Sequence, residues 1–128
     1  MSGLSDYLEN EILDHILGTG AYTMPTTVYV GLSTGSFGDD NSGTELTGNG
    51  YARKSISFGA ASSGTASNDA AVEFAAATGS WGTVSHFGLF DAASSGNLLI
   101  HGSLTASKVI ATGDILKIAI GDMDITAA

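Results

Sequence analysis

Hydrophobic positions recur at helical spacing before Gly18 and at strand spacing after Pro25. Leu4, Leu8, Ile12 and Ile16 fall four residues apart, and Leu13 and Leu17 widen the stripe. Asp6, Glu9, Asn10 and Asp14 cover much of the remaining surface. Ser5 is a suitable N-cap, Asp6 and Glu9 sit where the macrodipole favours anions, and Gly18 offers the left-handed position that ends a helix. The spacing therefore predicts one helix over residues 5–17. Its apolar stripe has to be covered, either by its own domain or by a neighbouring subunit.

Beyond Pro25 the alternation has period two, which is that of a half-buried strand. Strands are predicted over Thr26 to Thr34, Tyr51 to Phe58, Val72 to Ala75, Trp81 to Phe90, Leu98 to Leu104, Lys108 to Ala111 and Asp114 to Ile120. After Gly121 the apolar positions switch to Met123 and Ile125, which predicts a bulge at that glycine. The strands Trp81 to Phe90 and Leu98 to Leu104 flank a loop over residues 91–97 and should form the central hairpin, apolar on both faces. Centred on Ser94, that hairpin sets Phe90 against Leu98, Gly88 against Ile100 and Phe87 against His101. His86 and His101 then point to opposite sides, a parity that a one-residue bulge would overturn.

Many short strands separated by Gly, Ser and Asn turns predict a mainly β fold, an antiparallel β-sandwich or barrel with one N-terminal α-helix. The expected organisation is a single domain over residues 1–128, with the helix at about 5–17 and the β part at about 26–126. Residues 33–50, rich in Gly, Ser, Asn and Asp, are long for a loop in a compact domain. The expectation is a mobile surface loop or an arm ordered by a partner.

Composition narrows the function. The 128 residues carry 4 Lys and Arg against 13 Asp and Glu, a net charge of -9, so phosphate backbones are repelled and no nucleic-acid partner is expected. Seven of the acids and none of the cations lie before Arg53, which makes one end of the molecule strongly negative. Without cysteine, neither disulfides nor thiolate metal sites can form. The N-terminus has no basic residue and no apolar run approaches the ~18 residues of a membrane span, so no membrane partner is expected. Gly, Ala, Ser and Thr make up half the chain, and no fibre-type repeat is visible.

Candidate chemistry is sparse. His15, His86 and His101 read as isolated, solvated or hydrogen-bonded histidines, and there is no HExxH, GxSxG, Walker or paired-carboxylate spacing. Asp39, Asp40 and Asn41, or Asp122 and Asp124, could offer oxygen ligands to Ca²⁺ but lack the EF-hand spacing. No catalytic, cofactor-binding or metal residue is assigned, no cofactor is expected, and an enzyme is not expected. The protein-interface candidates are Leu4, Leu8, Ile12 and Ile16 on the helix and Phe37 and Leu46 in the long loop.

Several segments resemble, as a set, a family of small tailed-bacteriophage virion proteins usually labelled tail-fibre-like. They are Leu4-Ser5-Asp6-Tyr7-Leu8-Glu9-Asn10, Leu13-Asp14-His15, Val28-Tyr29-Val30-Gly31-Leu32, Gly50-Tyr51-Ala52-Arg53, Phe58-Gly59-Ala60-Ala61, the run from Trp81 to Asp91, Gly96-Asn97-Leu98-Leu99, Gly102-Ser103-Leu104 and Gly113-Asp114. The resemblance spans nearly the whole chain and implies a non-enzymatic particle component. A compact β domain without a shaft repeat suits a capsid decoration, or cement, subunit on the outer shell. The alternative is a tail-fibre or tail-associated module taking part in host attachment. Expected partners are further copies of the chain, with a trimer expected, and the phage major capsid protein or tail proteins. The expected location is the outer surface of the particle after synthesis in the host cytoplasm.

Overall fold

The computed structural model describes residues 2–127. The chain opens with a short strand, β1 (Ser2–Leu4), and enters helix α1 (Asp6–Leu17). Ser5 caps the helix as its sequence position predicts: its hydroxyl accepts from the Leu8 N–H at 3.2 Å and donates to the Leu98 carbonyl. Gly18 closes the other end with φ 81° and an N–H bonded to the Asp14 carbonyl.

Strands β2 (Val28–Ser33), β3 (Lys54–Ile56), β4 (Thr65–Ser67), β5 (Val72–Glu73), β6 (Gly82–Phe90), β7 (Leu98–Ile110), β8 (Lys117–Ile118) and β9 (Asp124–Thr126) follow. One antiparallel sheet has the order β1-β7-β6-β2-β3, and two small antiparallel pairs, β4-β9 and β5-β8, accompany it. The strands do not close into a barrel; the arrangement is sandwich-like. The predicted hairpin is central, because β6 lies between β7 and β2. Val30, Leu32, Phe87 and Leu89 from the large sheet share the main core with Ile56, Val72, Phe74, Trp81, Leu116, Ile118 and Met123. Tyr51, Phe74 and Trp81 meet there edge-to-face or stacked, and the indole N–H finds the Asn49 carbonyl at 2.9 Å.

Three expectations need correction. First, residues 33–50 are not a loose excursion: within the single chain they fold across the second face of the sheet. Phe37 is 1 % exposed and packs with Phe90 and Leu98. Asp39 ties the loop to the helix start through Asp6 N–H to Asp39 C=O at 2.9 Å, and to β7 through the 2.7 Å contact of its carboxylate with His101. This close layering uses the bare backbone of Gly31, where a Cβ would sit 2.8 Å from a Glu45 oxygen and 3.0 Å from the Phe90 ring. Both faces of the hairpin are thus covered within one chain.

Second, β7 carries a bulge. Phe90 pairs with Leu98 as predicted, but Leu89 pairs with Ile100 and Gly88 with His101, so Leu99 is extra. His86, two residues from Gly88, therefore shares a sheet face with His101 instead of opposing it. Their hydrogen bonds go elsewhere, His86 Nδ1 to Ser85 Oγ and His101 Nε2 to Asp39, each at 2.7 Å.

Third, Gly121 marks a turn and not a bulge. Its φ is 79°, and the Asp122 N–H reaches the Ala119 carbonyl at 3.1 Å, so the chain leaves β8 and starts β9 in a different pair. The two strands predicted between Leu98 and Ala111 are one strand, interrupted by a second, wider bulge. Val84 pairs with Lys108 and His86 with Ser103, which leaves Leu104, Thr105, Ala106 and Ser107 opposite Ser85 alone. Strands β1, β4 and β9 are short pieces that the alternation did not predict.

Candidate functional site

The two bulges of β7 shape two different surfaces. At Leu99 the irregularity is filled from within: the Ser5 N–H donates to the Leu99 carbonyl at 2.8 Å while the Ser5 hydroxyl takes that of Leu98. The start of α1 is fixed there, and Leu8 is buried. Because a helix turns 100° per residue, the stripe drifts as the helix leaves the sheet, and its second half faces out. Ile12 is 38 %, Leu13 55 %, Ile16 72 % and Leu17 71 % exposed, and Met24 beyond the helix is exposed as well. Glu9 stands three and four residues ahead of Ile12 and Leu13, on that same outward side, and Asp14 stands three ahead of Leu17.

The chain after the helix is held back against it. Thr19 and Gly20 N–H groups bond the Asp14 carbonyl at 2.9 and 3.1 Å, Thr19 Oγ1 donates to the Asp14 carboxylate, and Tyr22 N–H donates to His15 Nδ1. The Tyr7 phenol is pushed above the ordinary tyrosine range by burial first and then by the negative charge of Glu11 and Asp91, and that of Tyr22 by burial, then by the neighbouring Tyr7, then by Asp91 and Glu11. This supported side of the helix leaves the apolar side unpartnered.

At the other end of β7 the wide bulge leaves a hollow. An open cleft of about 400 Å³ is lined by Leu104, Thr105 and Ala106 of the bulge, by Phe87 and Met123, and by Lys108, Lys117, Asp122 and Asp124 among others. Neither lysine forms an ion pair among the described residues. Asp124 already accepts from Ser67 Oγ at 2.5 Å.

The most concentrated charge in the interior is a clamp. Arg53 holds Glu45 through Nε at 2.9 Å and a second nitrogen at 2.7 Å, and donates to the carbonyls of Ala92 and Ser95 at 2.9 and 2.8 Å. Its guanidinium carbon lies 3.6 Å from the centre of the Phe90 ring. Tyr51 donates to Glu45 and accepts from the Leu32 N–H. Burial, and then that bond to Glu45, push the Tyr51 phenol well above its ordinary value, so it stays protonated. Every polar group of the clamp is spent on joining the long loop and the 91–97 loop to the sheet. Among the described residues no three metal-capable side chains gather, and no helix is long and apolar enough to cross a membrane.

A family model described as Podophage GP4 fiber I protein gp80 matches residues 3–126. The chain belongs to this phage fibre family. It is a structural phage protein and a component of the virion, which agrees with the resemblance read from its segments. No curated protein matches it. In this fibre-family protein the six interface candidates are scattered by the fold. Leu8 and Phe37 are covered by their own domain, Leu4 and Leu46 are half-buried, and Ile12 and Ile16 lie together on the exposed helix face. The Lys108–Lys117 cleft carries no local sequence signal, because it depends on how many residues of β7 face Ser85. The Arg53–Glu45 clamp is equally silent in the sequence, although Gly50-Tyr51-Ala52-Arg53 belongs to the resemblance.

Proposed function

We propose that the protein is a non-enzymatic structural part of a phage tail fibre, assembled after synthesis in the host cytoplasm and displayed on the outside of the particle. The observation that carries this reading is the fibre family's match over residues 3–126. It favours the tail-fibre alternative over the shell-decoration expectation, which has no finding of its own behind it. The structure adds physical support. Its concentrated polar chemistry is consumed in the Arg53–Glu45–Tyr51 clamp, while large apolar side chains stand exposed on α1. Surface of this kind serves attachment to other chains.

Gold-labelled antibody against the chain, imaged on intact particles, tests the location. Label on the tail fibres is the expected result, and label spread over the head would restore the shell-decoration reading. A broad hydrolase screen on purified protein tests the non-enzymatic part; reproducible turnover abolished by a single-residue change would overturn it.

A further inference from the structure

We propose that Asn49 is a site of spontaneous covalent modification: its side chain closes on the Gly50 nitrogen, loses ammonia and reopens as aspartate or isoaspartate, which releases the end of the long loop from Trp81. The fold itself demands the reactive pair. Residues 48–51 form a tight turn in which the Tyr51 N–H reaches the Gly48 carbonyl at 3.0 Å, and both central residues have positive φ, Asn49 at 54° and Gly50 at 79°. Asn-Gly is the pair that such turns favour. It is also the pair in which an asparagine is most open to attack by the next backbone nitrogen, because glycine puts no side chain in the way.

The other four asparagines lack that opening. Asn10 lies within α1, whose hydrogen-bond ladder engages the following N–H. Asn41 also has positive φ, but the Ser42 N–H donates to Asp40 Oδ1 at 3.1 Å. Asn68 is buried with its carboxamide bonded to Ala70, Ala119 and Met123, and the Asp69 N–H donates to the Ser57 carbonyl. Asn97 is tied to the Asp91 carboxylate and is followed by branched, buried Leu98. Asn49 and Gly50 are both exposed, and the Gly50 N–H makes no hydrogen bond among the described residues. The Asn49 carboxamide is held by an exposed hydrogen bond, Nδ2 to the Ser80 carbonyl at 3.0 Å.

The atoms balance with water as the only co-reactant. The Gly50 nitrogen gives up its proton and bonds Asn49 Cγ, the Cγ–Nδ2 bond breaks and ammonia leaves, and water then opens the cyclic imide. Water attacking at Cγ gives aspartate. Attack at the main-chain carbonyl gives isoaspartate, with the chain now running through Cγ and longer by a methylene. Neither product fits the native contacts. The carboxylate has no proton to donate to the Ser80 carbonyl, and it adds negative charge to a chain already at -9. In isoaspartate the carbonyl that accepts from the Trp81 indole and the Thr78 N–H, each at 2.9 Å, is no longer part of the main chain. The tie between the long loop and Trp81 is thereby undone irreversibly. The inference rests on this turn alone and is independent of where the protein sits in the particle.

The test incubates the full folded chain in warm, mildly alkaline buffer and maps its peptides by mass spectrometry, with isoaspartyl methyltransferase as the probe for the isomerised product. Asn49 should convert at least about tenfold faster than any other asparagine of the chain, and faster as pH rises, because the attacking nitrogen must shed its proton. The Asn49→Gly variant, which keeps a residue at ease with φ 54°, should gain no methylatable site over the same period. Aged chain and Asn49→Asp should both be cut sooner than fresh chain by dilute protease between residues 33 and 50. Asn49 left intact in the folded chain, whether or not it converts in urea, overturns the proposal. So does conversion spread evenly over the asparagines, or an undiminished methyl signal in Asn49→Gly. Converted chain as protease-resistant as fresh chain overturns the release of the loop.

Discussion

The two bulges in β7 have opposite outcomes. At Leu99 the displaced backbone is met by Ser5, which satisfies two carbonyls and ties helix, strand and long loop into one unit. At Leu104–Ser107 the irregularity opens on a cleft lined also by Ser2, β8 and β9, whose lysines form no ion pair among the described residues. One bulge is consumed by the fold and the other is left as surface. Helix α1 repeats the contrast along its length, with its start capped and anchored by buried Leu8 and its second half apolar and exposed. Where apolar or polar groups are matched inside the chain they hold the fold together; where they are unmatched they are left as surface.

If that division holds, substitutions in the matched regions should destabilise and those in the unmatched regions should not. Phe87→Ala should have the largest effect, about 3–5 kcal/mol in urea unfolding, because its buried ring sits on the central strand. A loss below about 1 kcal/mol would show that this face of β6 is not core. Glu45→Ala should cost about 2–3 kcal/mol, somewhat below the range for a fully buried pair because the Glu45 side chain is 22 % exposed. Proteolysis at low enzyme ratios should then cut between residues 33 and 50, since the clamp no longer holds that loop. Ser5→Ala removes both the cap and the bond to Leu98, and should cost about 1–2 kcal/mol. The helical signal in far-UV circular dichroism should melt before the rest of the protein. Ile16→Ser/Leu17→Ser should move the unfolding free energy by less than about 0.5 kcal/mol, as expected for surface positions.

What could be read from the sequence follows the range of the interactions. The helix bounds and the central hairpin were legible because Ser5, Gly18 and the alternation through Phe87 and Leu89 are local signals. The strands Thr65–Ser67 and Asp124–Thr126 were not, being three residues each and paired across a long stretch of chain. The order of residues 33–50 rests on isolated anchors, Phe37, Asp39 and Glu45, whose partners Phe90, His101 and Arg53 are distant in sequence. A stretch rich in Gly, Ser and Asn with three such residues reads as loose until those partners are seen. The bulges were invisible for a related reason: strand register is set by pairing, and a period-two pattern does not show which strand holds the extra residue. For the site, the apolar stripe of α1 was evident, but which of its residues face outward depends on the angle at which Ser5 launches the helix. Ile12 and Ile16 emerged exposed and Leu8 did not.

The central claim is that the outward half of α1 is surface and not part of the fold. Urea unfolding of the Ile16→Ser/Leu17→Ser variant tests it most directly. The account predicts an unfolding midpoint within error of the unaltered chain. A destabilisation above about 1 kcal/mol would place these side chains in the fold after all.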